Sequence, residues 1–197
     1  MTLTSHLAVY YGNSPHYLAI VAEVLSRAAA EGAHPVALGV TPVMHALGDE
    51  YNRRALRLAG LTSPDADYAE RLRDRGVEVL DVTDFRDADH PIDRATLDRL
   101  EETTRGALIS YARDPLPPLH SGMYARLERR MLAAARDVFT AVYAVLLARP
   151  DISRVYVLNG RFPYQRAVIE AAELAGREVH HYEKGEKPGT YWLADHS

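Results

Sequence analysis

Nearly continuous apolar runs alternate with amphipathic stretches along most of the chain. The first run, from His6 to Tyr11, is typical of a central parallel strand that is covered on both faces. After it, Leu18, Val21, Ala22 and Leu25 recur at spacings of three and four, which predicts an amphipathic helix. Four further strands are predicted from similar runs: Pro35 to Val40, Val77 to Val82, Val155 to Leu158 and Glu178 to Tyr182.

Helices are predicted between these strands. Three of them are expected to begin where a capping residue precedes a proline, at Ser14-Pro15, Thr41-Pro42 and Ser63-Pro64. Three more are predicted over 92–110, 121–149 and 164–175, and a short segment from Thr190 to Leu193 follows the last strand. Strands separated by helices favour right-handed crossovers and a mostly parallel sheet. We therefore expect residues 1–197 to form one Rossmann-like α/β domain, a three-layer sandwich with about five strands.

Composition narrows the class of protein. The chain has 197 residues, 47% of them hydrophobic, and a formal net charge of −4. Such a composition excludes wholesale disorder and argues against a nucleic-acid-binding protein, which would normally be basic. Cysteine is absent, which excludes disulfides, thiolate nucleophiles and iron–sulfur clusters.

Targeting signals are not evident in the sequence. The N-terminus lacks the basic-then-apolar pattern of a signal peptide. The longest apolar run, Phe139 to Ala148, is shorter than the ~20 residues that a membrane-spanning helix needs. We therefore expect no transmembrane segment and a cytoplasmic protein, which could lie at the inner face of the membrane through exposed arginines of the helix over 121–149.

Candidate site residues follow the predicted strands, because ligands of an open parallel sheet bind beyond the carboxyl ends of its strands. Three of these turns hold small, amide or charged residues: Gly12, Asn13, Ser14 and His16 after the first strand; Asn159, Gly160, Arg161 and Tyr164 after the fourth; Glu183, Lys184 and Gly185 after the fifth. Loops are polar in any protein, so each turn alone has an ordinary explanation. Several such turns on one edge predict a polar ligand cleft.

The turn from Asn159 to Arg161 has two interpretations. Glycine lets the backbone pass close to a ligand, and arginine can donate two parallel hydrogen bonds to a carboxylate or phosphate. Alternatively, Asn159 and Gly160 form a tight turn while Arg161 pairs with a local acid such as Glu183. The residues by themselves leave both open.

Two motifs stand near each other between Val155 and Gly185. Asn159-Gly160-Arg161 follows a hydrophobic strand, and Glu183-Lys184-Gly185 follows the next strand. At this spacing they resemble bacterial capsular and surface polysaccharide biosynthesis glycosyltransferases, which often carry Asn-Gly-Arg and Glu-Arg-Gly at these places. Lysine replaces arginine in the second motif, which keeps the charge but loses the bidentate fork.

This resemblance implies the N-terminal, acceptor-side half of a two-domain glycosyltransferase of the GT-B type, without its donor domain. A nucleotide sugar and a glycan acceptor would then be its partners, through a missing second domain or a partner subunit, and a homo-oligomer is one arrangement. No metal or other cofactor is implied. His16 or Glu183 would act as the base, with Arg161 as a cationic catalytic group. Substrate contacts are expected from the remaining candidates: Gly12, Asn13, Ser14, Asn159, Gly160, Tyr164, Lys184 and Gly185.

Other interpretations stay open. The chain could be a non-catalytic α/β module that binds a sugar or nucleotide or docks a partner. It could also be a small enzyme of another class, although the absence of Gly-x-Ser-x-Gly argues against a nucleophile elbow. Asp87-Ala88-Asp89-His90 imitates a metal motif but is better explained as a solvated turn. His180 and His181 would point to opposite faces of a strand and could not share a metal.

Overall fold

The computed structural model describes residues 4–11, 15–40, 64–85, 90–112, 122–186 and 190–195. Its helices and strands follow the predicted alternation, in this order: β1 (Ser5–Tyr10), α1 (Pro15–Ala30), β2 (His34–Gly39), α2 (Pro64–Arg73), β3 (Glu78–Asp81), α3 (Arg94–Ala112), α4 (Gly122–Ala148), β4 (Ile152–Leu158), α5 (Pro163–Leu174), β5 (Glu178–Lys184) and β6 (Tyr191–Asp195). The helix predicted to begin at Thr41-Pro42 lies outside the described residues.

The strands form one sheet in the order β3-β2-β1-β4-β5-β6. Neighbours from β3 to β5 are parallel, while β6 runs antiparallel to β5. The predicted Rossmann-like sandwich is therefore confirmed, and the short segment after the fifth strand adds a sixth. Strand order reverses between β1 and β4, where the connections leave in opposite directions. Such a reversal opens a crevice at the carboxyl ends of the two strands.

Each face of the sheet packs against its own layer of helices. Ala8 and Tyr10 of β1 face α1 and α2, whereas Leu7 and Val9 belong to the core beneath α4 and α5. All six residues of β1 are buried. Coverage on both faces explains why the first strand is almost continuously apolar, since neither side of it meets water.

Helix α4 is the longest element of the described chain. Its segment Tyr124–Ala148 is long and apolar enough to cross a membrane, by length and composition only. Of its most apolar window, 56% is buried inside the fold. Val138, Phe139, Val142 and Val145 are fully buried in the core that α4 shares with the sheet. The apolar face of α4 thus has a structural use within the domain.

The amino ends of four strands are joined by a cluster that we name the amino-edge clamp. Arg149 donates hydrogen bonds to Glu78 of β3, at 2.6 Å, and to Asp151 just before β4, at 2.9 Å. His34 of β2 lies 2.9 Å from the same Glu78 carboxylate. Ser5 of β1 donates to Asp151 at 2.6 Å. The clamp stands at the edge of the sheet opposite the crevice.

The clamp also changes the ionisation of its members. Burial alone would raise the pKa of Glu78, but hydrogen bonds from Arg149 and His34 hold that pKa below its ordinary value. Hydrogen bonds from Arg149 and Ser5 hold the pKa of Asp151 well below its ordinary value. Both carboxylates are therefore kept charged in the folded chain.

Candidate functional site

A cavity of about 170 Å³ lies in the crevice between β1 and β4. Aromatic side chains make up half of its ten lining residues: Tyr10, Tyr11, Phe162, Tyr164 and Tyr182. Three aliphatic residues and two carboxamides complete the lining: Leu18, Val21, Leu158, Asn159 and Gln165. The walls of the cavity are thus uncharged and chiefly apolar, with a small number of groups that can form hydrogen bonds.

Hydrogen bonds and ring contacts fix the aromatic walls. Tyr182 of β5 donates its hydroxyl to the Val9 carbonyl at 3.1 Å, and Tyr11 donates its hydroxyl to the Tyr164 carbonyl at 3.4 Å. The rings of Tyr11 and Tyr164 lie 4.9 Å apart, and Phe162 stacks on Tyr164 at 5.6 Å with the ring planes 1° apart. Burial raises the pKa of Tyr11 well above its ordinary value, so its hydroxyl stays a donor.

One wall depends on a glycine in the neighbouring strand. The Tyr10 ring covers Gly39, the last residue of β2, so closely that a Cβ added at Gly39 would lie 2.8 Å from the ring. On another side the edge of the ring meets Tyr68 of α2, with the ring centroids 5.1 Å apart. The absence of a side chain at position 39 therefore makes room for the aromatic ring that lines the cavity.

The turn after β4 forms the rim of the cavity. Asn159 accepts a hydrogen bond from the Arg161 backbone N–H at 3.1 Å and donates from its amide to Glu183 at 2.5 Å. Gly160 has a φ of +73°, and a Cβ there would meet Ile169 at 2.8 Å. The backbone conformation thus favours a glycine, and any Cβ at this position would force the end of the Ile169 side chain of α5 to shift.

Arg161 stands at this rim with its guanidinium largely in solvent. Its Nη2 lies 3.9 Å from Glu183 Oε2, and its side chain is 77% exposed. Both interpretations of the turn therefore have a counterpart in the structure. The turn is tight and Arg161 is near Glu183, yet the ion pair is long enough to leave the guanidinium accessible to an anion.

The other predicted site residues fall into three groups. Tyr164 lines the cavity. The Gly185 N–H donates to Thr190 at 2.9 Å, so this glycine serves the turn between β5 and β6. Gly12, Asn13 and Ser14 lie outside the described residues, as do the side chains of His16, in the first turn of α1, and Lys184, at the end of β5.

Sequence reasoning missed most of the cavity wall. Gln165, Tyr10, Tyr11, Phe162 and Tyr182 were not singled out, because each looks like an ordinary core or helix residue. Gln165 had one available signal: it stands three residues after the helix-capping position and accepts a hydrogen bond from the Phe162 N–H at 3.2 Å. That is the geometry of a capping box, but the usual Ser or Thr is replaced by phenylalanine.

Metal-binding groups are not gathered at this site. No cluster of three or more His, Asp or Glu side chains that could hold a metal occurs among the described residues. As predicted, His180 and His181 lie on opposite faces of β5: His180 packs against Tyr156, and the His181 ring lies near Gly160. Asp87 and Asp89 lie outside the described residues.

Comparison with known proteins leaves the site to be interpreted from its own geometry. No protein-family model and no curated protein matches this chain. The geometry combines an aromatic cavity with amide, carboxylate and guanidinium groups at its rim. Aromatic rings can pack against the apolar face of a ring-shaped ligand, while the rim groups can bind hydroxyl or anionic substituents.

Proposed function

We propose that the chain is the acceptor-side domain of a glycosyltransferase that takes part in surface polysaccharide or glycoconjugate assembly in the cytoplasm. The observation that carries the proposal is the aromatic cavity at the reversal of strand order, with Asn159, Arg161 and Glu183 grouped at its rim. Ligands of doubly wound sheets bind at this place. The resemblance of the two turns to those of capsular polysaccharide glycosyltransferases supports sugar transfer as the reaction.

The three rim residues have complementary roles in this proposal. Glu183 and Asn159 bind acceptor hydroxyls, because a carboxylate and a carboxamide together accept and donate hydrogen bonds. Arg161 binds an anionic group, such as the diphosphate of a nucleotide-sugar donor held by a second domain or subunit. Its long contact with Glu183 can be exchanged for that anion with little loss, since exposed ion pairs contribute about 0–1 kcal/mol.

The proposed transfer is a displacement at the sugar. A base, His16 or Glu183, takes the proton of an acceptor hydroxyl; the oxygen bonds to the anomeric carbon as the bond to the nucleoside diphosphate breaks. The leaving diphosphate carries away the electron pair of that bond, and Arg161 stabilises its charge. Neither a metal nor another cofactor is part of this proposal.

One contact favours a second candidate, a non-catalytic module that binds a sugar or nucleotide or docks a partner. Asn159 donates to Oε2 of Glu183, and this same oxygen is the one nearest Arg161. A carboxylate held in this way binds hydroxyls well but has one oxygen fewer for accepting a proton. Turnover distinguishes the two candidates, because a binding module releases no nucleotide.

The test is nucleotide release by the longest natural form of the protein, screened against nucleotide sugars with glycoside acceptors. We expect Arg161→Ala to lower the rate at least 10-fold with an unchanged melting temperature, because the side chain lies mostly in solvent. Arg130→Ala, an exposed arginine on α4, is the matched control and should leave the rate unchanged. Equal rates for wild type and Arg161→Ala would contradict the proposed role of this rim.

A further inference from the structure

The size of the cavity limits what can enter it. Its volume is about 170 Å³. An engineered apolar cavity of about 150 Å³ in another protein binds one benzene molecule. The cavity between β1 and β4 therefore holds a single six-membered ring, and a disaccharide or a whole nucleotide must extend beyond it to the rim.

The polarity of the walls selects among rings. Two of the wall hydroxyls, those of Tyr11 and Tyr182, are already donated to backbone carbonyls. The cavity thus offers few partners to a pyranose, whose several hydroxyls would lose their hydrogen bonds to water on burial without replacing them. A planar ring with apolar faces meets no such cost and can pack against Tyr164 and its neighbours.

Gln165 gives the cavity one directed polar group. The residue is only 2% exposed, and it lines the cavity. Its Oε1 accepts the Phe162 N–H at 3.2 Å, which fixes the orientation of the carboxamide. Within the described part of the chain, its NH2 group donates to no protein acceptor. A donor in the wall of a cavity can pair with an acceptor atom at the edge of a bound ring.

We propose that the cavity binds a planar, uncharged aromatic ring with a hydrogen-bond acceptor at its edge, and that Gln165 is the specificity-determining donor to that acceptor. This inference rests on the proposed function in one respect: the ring is taken to be attached to a sugar. That sugar lies at the rim of the cavity, beside Asn159. The ring itself could belong to an aryl glycoside or to the pyrimidine base of a nucleoside. Both sources share this chemistry.

Calorimetric titration of the full chain tests the proposal with two pairs of probes. 4-Nitrophenyl β-glucoside is compared with methyl β-glucoside, and uridine with methyl β-riboside. We expect the ring-bearing member of one pair to bind at least 10-fold more tightly than its ringless partner, and that pair identifies the source of the ring. A preference below 3-fold in both pairs would overturn the proposal.

Two variants test the residues. Gln165→Glu keeps an oxygen for the Phe162 N–H but replaces the donor, so the ring preference should fall at least 10-fold while binding of the ringless sugar is unchanged. Val21→Phe fills the cavity with a ring from α1 and should abolish the preference without lowering the melting temperature. Val24→Phe, on the same helix but outside the cavity, is the matched control. Its ring has no cavity to fill, so this variant should lower the melting temperature. An unchanged ring preference in both cavity variants would overturn the assignment.

Failure of this inference is distinguishable from failure of the proposed function. If nucleotide release depends on Arg161 but no ring preference is measured, the proposed ring site is wrong and the proposed transferase function still stands. A ring preference that depends on Gln165, without nucleotide release from any donor, would support the ring site and favour the binding module.

Discussion

Gly160 shows how strongly a single residue of the rim is constrained. Its φ of +73° lies in the left-handed region, and Ile169 of α5 occupies the direction in which a Cβ would point. Gly32, at the end of α1, has a similar φ of +86°, but a Cβ added there would meet nothing within 4 Å. The two glycines therefore differ in packing while sharing the same backbone demand.

We expect Gly160→Ala to destabilise the fold more than Gly32→Ala. Left-handed backbone costs alanine about 1 kcal/mol at either site, and overpacking against Ile169 adds about 1–3 kcal/mol at position 160 alone. Equilibrium denaturation in urea measures both variants. Equal losses of unfolding free energy would show that α5 yields to the extra methyl group.

At the residue scale, the sequence predicts proximity where a residue directly follows its own strand. Asn159 and Glu183 were expected to lie near each other because turns after parallel strands meet at one edge, and they form a hydrogen bond. Gln165 and Tyr11 could not be found, because their role depends on a cavity built from several elements that are far apart in the chain. A periodic pattern reports burial, but it does not report which buried residues border empty space.

At the scale of elements, the amino-edge clamp determines how the strand ends are held together. It joins the starts of β1, β2 and β3 to the turn before β4 through Arg149. The two carboxylates of the clamp, Glu78 and Asp151, have pKa values lowered in the folded state. Their contribution to stability is therefore present above their unfolded values of 4.5 and 3.8 and is lost as pH falls towards the folded values.

We expect Arg149→Met to lower the unfolding free energy by about 1–2 kcal/mol at pH 7, since the paired side chains are only partly shielded from water. The loss of stability between pH 5 and pH 3 should also be smaller in the variant, because its carboxylates no longer gain from the guanidinium. Urea denaturation across this pH range measures both effects. Arg94→Met, which removes an exposed pair with Asp98 on α3, should change neither; parallel pH profiles for Arg149→Met and wild type would contradict the role of the clamp.

Element types were predictable, and some boundaries were not. The prediction began the fourth strand at Val155, whereas β4 begins at Ile152. Arg154 is accommodated at a partly buried position of the strand, where it donates to Glu178 of β5 at 2.7 Å. A charged residue interrupts the apolar run without interrupting the backbone ladder. The short segment over 190–193 became β6 by pairing with β5, which no local pattern indicates.

At the scale of the molecule, the order of the strands places the site. The sequence predicted a parallel sheet but not that β1 lies beside β4, since a crossover connection does not specify its neighbour. This adjacency creates the crevice. It also makes β1 and β4 interior strands with buried partners on both sides, while β6 is an edge strand whose Trp192 is 63% exposed.

We expect hydrogen exchange to follow this arrangement. Backbone amides of β1 and β4 should exchange most slowly, because opening them requires disruption of the central sheet. Amides of β3 and β6 should exchange fastest among the strands, since each of these two strands lies at an edge and has a neighbour on one side only in the described sheet. Hydrogen–deuterium exchange read by NMR gives these rates, and β6 amides as slow as those of β1 would contradict the expectation.

A substitution at Gly39 would change the size of the cavity even though Gly39 is not one of its lining residues. The residue does not line the cavity, but it lies directly behind the Tyr10 ring that does. A methyl group at this position would push the ring forwards and shrink the space available to a ligand. The size of molecule that the domain accepts can therefore be changed during evolution, or by engineering, through a strand that never touches it.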